Sequence, residues 1–269
     1  MIFRLLIYLQ LLVFNYSFTV AKDPYPKNKN IDILNYAFSL HLNDNDDIID
    51  GKAIIDLKIK SKDVKNLRFD LISINDNNKG MIVSNVSFNG SIVYFKHTNN
   101  ELKIDLSNVE VLKNNKVRIN YKGIPLTGLI IGSNKFGDRT FFSDNWPNKA
   151  RNWLPLVDHP YDKATCEFII TAPNHYQVIS NGLLIEESNL ENGFKLTHWK
   201  QSVPISCWLF ALGVAEFAVQ YVDVFEGKSI QTWVYKQDRI KGFYDFEVPT
   251  KDAMQFFSNY IGPFAYEKL

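Results

Sequence analysis

The chain has 269 residues, of which 46% are hydrophobic and 22% charged, and its 30 basic residues balance 29 acidic ones. These values are typical of a folded globular chain and exclude a disordered protein, a collagen-like repeat and a polytopic membrane protein. A net charge of +1 gives no electrostatic footprint of the strongly basic domains that bind nucleic acid, so no nucleic-acid partner is expected.

The first segment, residues 1–21, has the pattern of a secretory signal peptide. One cation, Arg4, precedes an apolar run over residues 5–14, which is shorter than the about 20 apolar residues of a membrane span. Thr19 and Ala21 place small residues at the spacing of a signal peptidase site. We therefore expect an exported protein that is periplasmic, secreted or at the cell surface. The alternative is an uncleaved signal anchor, which would be its one link to a membrane.

Residues 22–217 form a series of short apolar–polar alternations separated by turns rich in Asn, Asp and Gly. Tyr36, Phe38 and Leu40 share one strand face, and Ala53–Lys60 alternates in the same way. Without a helical period between the strands, the pattern predicts a mainly β fold, a large antiparallel sandwich or barrel. Further strands are predicted at Met81–Phe88, Ser91–Phe95, Glu101–Leu106, Lys116–Tyr121, Thr165–Ala172, Gln177–Ser180, Lys195–Trp199 and Trp208–Phe217, with a less regular stretch at Gly123–Asp162.

The pattern changes near Ala218. A strand is predicted at Ser229–Tyr235 and a helix from Pro249 to Ile261, because Pro suits a first helical turn and apolar residues then recur at helical spacing. Residues 218–269 are therefore predicted to be a short α/β unit, the truncated beginning of a second domain.

The sequence carries no complete active-site motif. No two of its five histidines are four residues apart, so H-E-x-x-H is absent, as are a nucleophile elbow and a phosphate-binding loop. The two cysteines, Cys166 and Cys207, lack the histidine partners that a tetrahedral zinc site would need. A disulfide between them and two free buried thiols both stay open. We expect no catalytic residue, metal ligand or cofactor in this chain.

The segment Ala150–Phe168 concentrates charges and prolines. Arg151, Asp158 and Asp162 lie among tryptophan and proline residues that stiffen the loop. Because charges in apolar surroundings must pair, we predict a structural clasp in which Arg151 binds Asp158 or Asp162. The alternative is that this segment forms a wall of a binding cleft.

The same segment, R-x-W-x-P-x-x-D-x-P-x-D-K-A-T, resembles the amino-terminal domain of zinc aminopeptidases of the aminopeptidase N family, which are gluzincin metallopeptidases. The resemblance spans residues 31–269 and implies the substrate-cleft domain of an exported enzyme that removes amino-terminal residues from peptides. Other stretches that fit in order are Asn35–Leu40 with Gly51, Ala172–Pro173 with Ser180–Gly182, Pro204–Gly213 and Phe256–Leu269.

Two departures limit what the resemblance implies. The family's G-[AG]-M-E-N loop and H-E-x-x-H helix do not occur up to Leu269, so zinc is implied only in a catalytic domain missing from this chain, and the chain alone is expected to be inactive. The family's first domain offers Gln or Glu to the free α-amine of the substrate. Here Trp146 occupies that register, with Asp144 two residues earlier.

An indole face and a carboxylate both attract an ammonium group, so Asp144 and Trp146 are the candidate substrate-binding residues for a peptide with a free amino terminus. For Trp146 the alternative is a packing role ahead of Pro147. Two other functional classes stay open for the whole chain. One is a non-catalytic secreted β-sandwich that binds carbohydrate or protein, and the other is an adhesion domain held at the membrane.

Overall fold

The computed structural model describes residues 23–269, so the predicted signal peptide lies outside the described residues. This part of the chain is mainly β, as predicted, and its one long helix is α1 (Arg239–Tyr260). The strands are β1 (Ile31–His41), β2 (Ile49–Ile59), β3 (Asn66–Asp70), β4 (Gly80–Phe88), β5 (Ser91–Ile92), β6 (Phe95–Thr98), β7 (Glu101–Asp105), β8 (Asn114–Ile124), β9 (Leu129–Ser133), β10 (Arg139–Ser143), β11 (Ala164–Pro173), β12 (Gln177–Ser180), β13 (Leu183–Asn189), β14 (Phe194–Ile205), β15 (Leu212–Ala215), β16 (Phe217–Phe225) and β17 (Lys228–Tyr235).

The largest sheet has eight strands in the order β13-β14-β11-β1-β2-β8-β4-β5. Its neighbouring strands are antiparallel except β1 and β11, which pair in parallel from Asn35–Thr165 to His41–Thr171. The prediction of antiparallel sheets is therefore confirmed with one exception. Parallel pairing is possible here because β1 and β11 are not joined by a hairpin turn, but by the whole chain between them.

One face of this sheet is buried against two smaller sheets. At alternate positions β1 buries Tyr36, Phe38 and Leu40, as the alternation predicts. The smaller sheets, β12-β15-β10-β9 and β3-β7-β6, contribute Phe141 and Phe69 to the same apolar cluster. The core therefore lies between sheets, as in a sandwich.

The region 123–162 is more regular than its sequence suggests, since it contains β9 and β10. After β10 the chain makes a 3₁₀ turn at Ala150–Asn152 and then crosses the core, with Trp153 and Leu154 completely buried. Leu156 pairs with Asp70 at the end of β3 through two backbone hydrogen bonds of 2.7 and 3.2 Å. This crossing segment carries the charged residues predicted to form a clasp.

The C-terminal part differs from prediction at two places. The strand expected over 208–217 is a 3₁₀ turn, Cys207–Leu209, followed by the separate strands β15 and β16, because the chain leaves one sheet for the β16–β17 hairpin. The helix begins at Arg239, so Pro249 lies in its interior and not in its first turn. A proline in a helix removes one hydrogen bond, and α1 tolerates this because it is exposed along most of its length, with Met254 its one buried residue. Among residues 23–269, no helix has both the length and the apolar character needed to cross a bilayer.

Candidate functional site

Arg151 and Asp158, which both lie on the crossing segment, form a largely buried ion pair. The Nε of Arg151 donates to Oδ2 of Asp158 at 2.7 Å, and its Nη2 donates to the Asp158 carbonyl at 3.2 Å. The Asp158 side chain has no exposed surface, whereas that of Arg151 is 23% exposed. Burial raises the pKa of Asp158, and the bonds from Arg151 oppose this effect. The two residues therefore close the loop between them around a buried charge.

Asp70 is a third member of this cluster that the sequence reasoning missed. Its side chain is completely buried, its Oδ2 accepts hydrogen bonds from the Tyr25 hydroxyl and from the Asp158 backbone N–H, and its Oδ1 accepts one from Nη2 of Arg68 at 2.6 Å. The Nη2 of Arg151 lies 3.9 Å from its Oδ2. Arg68 and Asp70 are two residues apart and so share one face of β3, opposite Leu67 and Phe69, which signals their pairing but not their meeting with Asp158.

Asp162 does not join the clasp. Its Oδ2 accepts a hydrogen bond from the backbone N–H of Ile33 at 3.3 Å, at the irregular start of β1. Burial raises the pKa of Asp162 to about 6, because this single hydrogen bond does not replace the lost hydration. Of the two partners that the sequence left open for Arg151, the structure pairs it with Asp158.

Cys166 and Cys207 are both buried free thiols, which answers the question of a disulfide between them. The Sγ of Cys207 lies 3.5 Å from Oδ1 of Asp158 and donates to it, so this thiol covers the carboxylate oxygen that Arg151 does not use. Burial raises the pKa of both thiols, so neither has the thiolate character of a reactive cysteine.

The residues proposed to bind an amino group lie on the turn that follows β10. Asp144 is about half exposed and forms an ion pair with Lys149, while Trp146 is 66% exposed and so lies outside the core. Asn145 between them is buried, with its amide donating to the Phe210 carbonyl at 2.6 Å and its Oδ1 accepting from Nε1 of Trp153 at 2.9 Å. The turn thus presents a carboxylate and an indole to solvent on a fixed base.

A cleft of about 450 Å³ connects this turn with the clasp. Pro147 of the turn lines one side, Arg151 and Asp158 lie in its floor, and Trp208 and Tyr25 contribute aromatic surface. The clasp is therefore also part of a cleft wall, so the two interpretations of the segment are compatible. Within residues 23–269, no three His, Cys, Asp or Glu side chains are grouped to hold a metal ion, so these residues do not fit a zinc site.

A sandwich of antiparallel sheets with a clasped loop at its centre, followed by a hairpin and a helix, defines the class of this protein. It is the amino-terminal β domain of a peptidase family. The chain belongs to the Peptidase M1 N-terminal domain family, whose model matches residues 33–209. The family resemblance of the sequence is thereby confirmed.

Curated relatives are aminopeptidases. Glutamyl aminopeptidase of Rattus norvegicus is 29% identical over 119 residues, which are 44% of this chain and 12% of that protein. Aminopeptidase A of Gloydius brevicauda is 32% identical over 120 residues, which are likewise 44% of this chain and 12% of that protein. The matched stretch thus spans about an eighth of the length of these relatives.

Solved structures share the fold. The M1 zinc metallopeptidase from Deinococcus radiodurans superposes with a TM-score of 0.74 at 21% identity, over 90% of this chain and 56% of that one. A mutant of the Deinococcus enzyme bound to a Tyr-Ser-Ala substrate matches equally well, with a TM-score of 0.74 at 21% identity over 89% of this chain and 55% of its own. At this level of identity the likeness establishes the fold.

Proposed function

We propose that this chain forms one wall of the substrate cleft of an exported zinc aminopeptidase, and that the turn after β10 binds the free amino group of the peptide. The observation that carries the proposal is the fixed turn itself, which exposes Asp144 and Trp146 directly before Pro147 and Asn148, two residues that line the cleft. The family supports the peptidase assignment, and the relatives' names support an aminopeptidase. The Deinococcus structure with bound Tyr-Ser-Ala supports a peptide ligand in a protein of this fold.

The chain's own contribution is binding and orientation. A substrate ammonium would replace Lys149 as the partner of Asp144, and the face of Trp146 would add a cation–π contact worth about 0.5–2 kcal/mol. Since the turn is exposed in this chain, the ion pair itself adds at most about 1 kcal/mol. Zinc in a catalytic unit polarises a carbonyl and activates water. The described residues form no such site, and we expect the chain alone to release no amino acid.

Amino-group binding is tested by titrating the ¹⁵N-labelled chain with Tyr-Ser-Ala and with its N-acetylated form. We expect the free peptide to shift the resonances of residues 144–149 and the acetylated peptide to leave them in place. Asp144→Asn should abolish the shifts, whereas Asp223→Asn, an exposed carboxylate on the hairpin, should not. Equal shifts with both peptides, or none at this turn, would overturn the proposed role.

Catalytic dependence is tested separately with the purified chain and amino-acyl anilides. We expect no anilide release and no stoichiometric zinc, because a catalytic zinc site needs three protein ligands and a base beside them. Release of an amino acid by the purified chain, abolished by a chelator, would refute the proposal that this chain binds the peptide and that catalysis needs a separate zinc unit.

Export is proposed from the pattern of residues 1–21. We expect the mature chain to begin at or near Lys22, as read by mass spectrometry of the amino-terminal peptide from the extracytoplasmic fraction. An intact Met1 in that fraction would favour the uncleaved anchor instead.

A further inference from the structure

Lys268 is a half-buried amine without a carboxylate partner among residues 23–269. Its Nζ donates to the Ser180 carbonyl at 2.6 Å and lies 4.7 Å from the centre of the Trp199 ring. The neighbouring carboxylate, Glu267, binds the backbone N–H of Ser202 at 2.9 Å. One neutral acceptor and one aromatic face thus hold a group that usually seeks full hydration or a counter-ion.

The backbone fixes this amine in place. Leu269 donates to the Ser229 carbonyl at 3.0 Å and accepts from the Gln231 N–H at 2.9 Å, so Lys268 and Leu269 extend the β16–β17 sheet as a short parallel strand. The backbone of Lys268 is thereby fixed beside the Trp199 ring, which covers one side of the amine.

Lys268 lines a cavity of about 200 Å³. Ile205 and Leu209 supply apolar walls, and the amides of Asn181 and Gln201 are occupied by bonds to the Leu209 and Val203 carbonyls. Lys268 is the one cationic side chain that lines the cavity. This lining offers no second charge for a phosphate or carboxylate and suits a small uncharged molecule.

Burial makes this amine more nucleophilic at neutral pH. It lowers the pKa of Lys268 to about 8, while the nearby Glu267 opposes the shift. At pH 7 a group with that pKa is unprotonated about one time in ten, against about one in 2,500 for a lysine of ordinary pKa. Lysines desolvated in this way are the ones that form Schiff bases with carbonyl compounds.

We propose that Lys268 and its cavity form a site that captures small uncharged aldehydes as a reversible imine. The Nζ lone pair attacks the carbonyl carbon and forms a C–N bond. A proton then passes from nitrogen to oxygen, giving a carbinolamine. Loss of that oxygen as water forms the C=N bond, and hydrolysis reverses each step without an oxidant or reductant. The site is separate from the cleft beside Trp146 and does not depend on the peptidase assignment.

The test is reductive alkylation of the intact chain with limiting propanal and cyanoborohydride at pH 7, followed by peptide mass spectrometry. The labelled fraction of Lys268 is compared with that of Lys62, an exposed lysine in the same sample. We expect Lys268 to be labelled at least about tenfold faster than Lys62, because a larger fraction of its amine is unprotonated at pH 7. Equal or slower labelling would overturn the proposal.

Confinement of the amine is tested by repeating the labelling with pivaldehyde, whose tert-butyl group hinders approach to its carbonyl carbon. We expect the ratio of Lys268 to Lys62 labelling to fall several-fold relative to propanal, because the Trp199 ring and the Ser180 carbonyl flank the Lys268 amine, whereas Lys62 is exposed. An unchanged ratio would show a reactive surface amine without a binding cavity and would refute the site. Both measurements use the unaltered chain, so neither depends on a variant that folds.

Discussion

Removing the carboxylate of Asp158 tests the clasp that holds the crossing segment. In Asp158→Ala the Arg151 guanidinium loses the partner at 2.7 Å, and the Cys207 thiol loses its acceptor. Breaking a buried ion pair from one side commonly costs about 3–5 kcal/mol, because the remaining charge is left unpaired. Arg151 retains some exposure and Asp70 at 3.9 Å, so we expect a loss near the lower end, about 3 kcal/mol.

Urea denaturation followed by tryptophan fluorescence measures this loss, since Trp153 is completely buried in the same segment. With a urea dependence of about 2 kcal/mol per M, a loss of about 3 kcal/mol lowers the midpoint by about 1.5 M. The matched control is Asp223→Ala, which removes an exposed ion pair with Lys251 and should leave the midpoint nearly unchanged.

A double-mutant cycle separates the charge from the packing. Arg151→Met combined with Asp158→Ala should cost less than the sum of the two single changes by about 1 kcal/mol or more, because the double variant leaves no unpaired charge between them. An Asp158→Ala midpoint equal to that of the parent, or as little shifted as that of Asp223→Ala, would refute the argument that the buried pair stabilises the loop.

Two further changes have signs set by the structure. Burial raises the pKa of Asp162 to about 6, so its contribution to stability is fully present below its unfolded pKa near 4 and is lost as pH rises through 6. Asp162→Asn should therefore stabilise the protein at pH 7 and flatten the pH dependence of its stability between pH 4 and 6. A variant that is less stable than the parent at pH 7 would contradict this. Gly182 has a φ of +76°, and a Cβ there would lie 1.9 Å from the Lys200 carbonyl oxygen. Gly193 has a similar φ of +75°, but a Cβ there would meet no atom within 4 Å. Gly182→Ala should therefore lower the thermal midpoint much more than Gly193→Ala.

Strands that bury one face were predictable, because alternation in β1 and β2 records burial directly. Strands β9 and β13 were missed since several of their apolar residues, such as Ile130 and Leu184, point to solvent and break that alternation. Strand β3 was missed although Leu67 and Phe69 alternate, because five residues hold too short a pattern. The start of α1 was placed too late because Pro249 reads as a first-turn residue, whereas an exposed helix also accommodates it in its interior.

The candidate site was predictable in part. Arg151 and Asp158 stand out as charges among apolar and proline residues. Asp70 and Tyr25 reach the same cluster from distant parts of the chain, and a single sequence has no local signal for that meeting. The exposure of Trp146 likewise depends on the burial of Asn145 beneath it, which is a tertiary effect.

The parallel pairing of β1 with β11 sets the order in which the large sheet can be completed during synthesis. β1, β2, β4, β5 and β8 are available once residue 124 has been made, but β1 remains a bare edge until residues 164–173 follow. An unpaired strand edge that carries apolar side chains is a template for aggregation. Pairing between strands so far apart in the chain is also slow to form. The nascent chain is therefore most vulnerable between these two points, where a chaperone that covers β1 would have the greatest effect on yield.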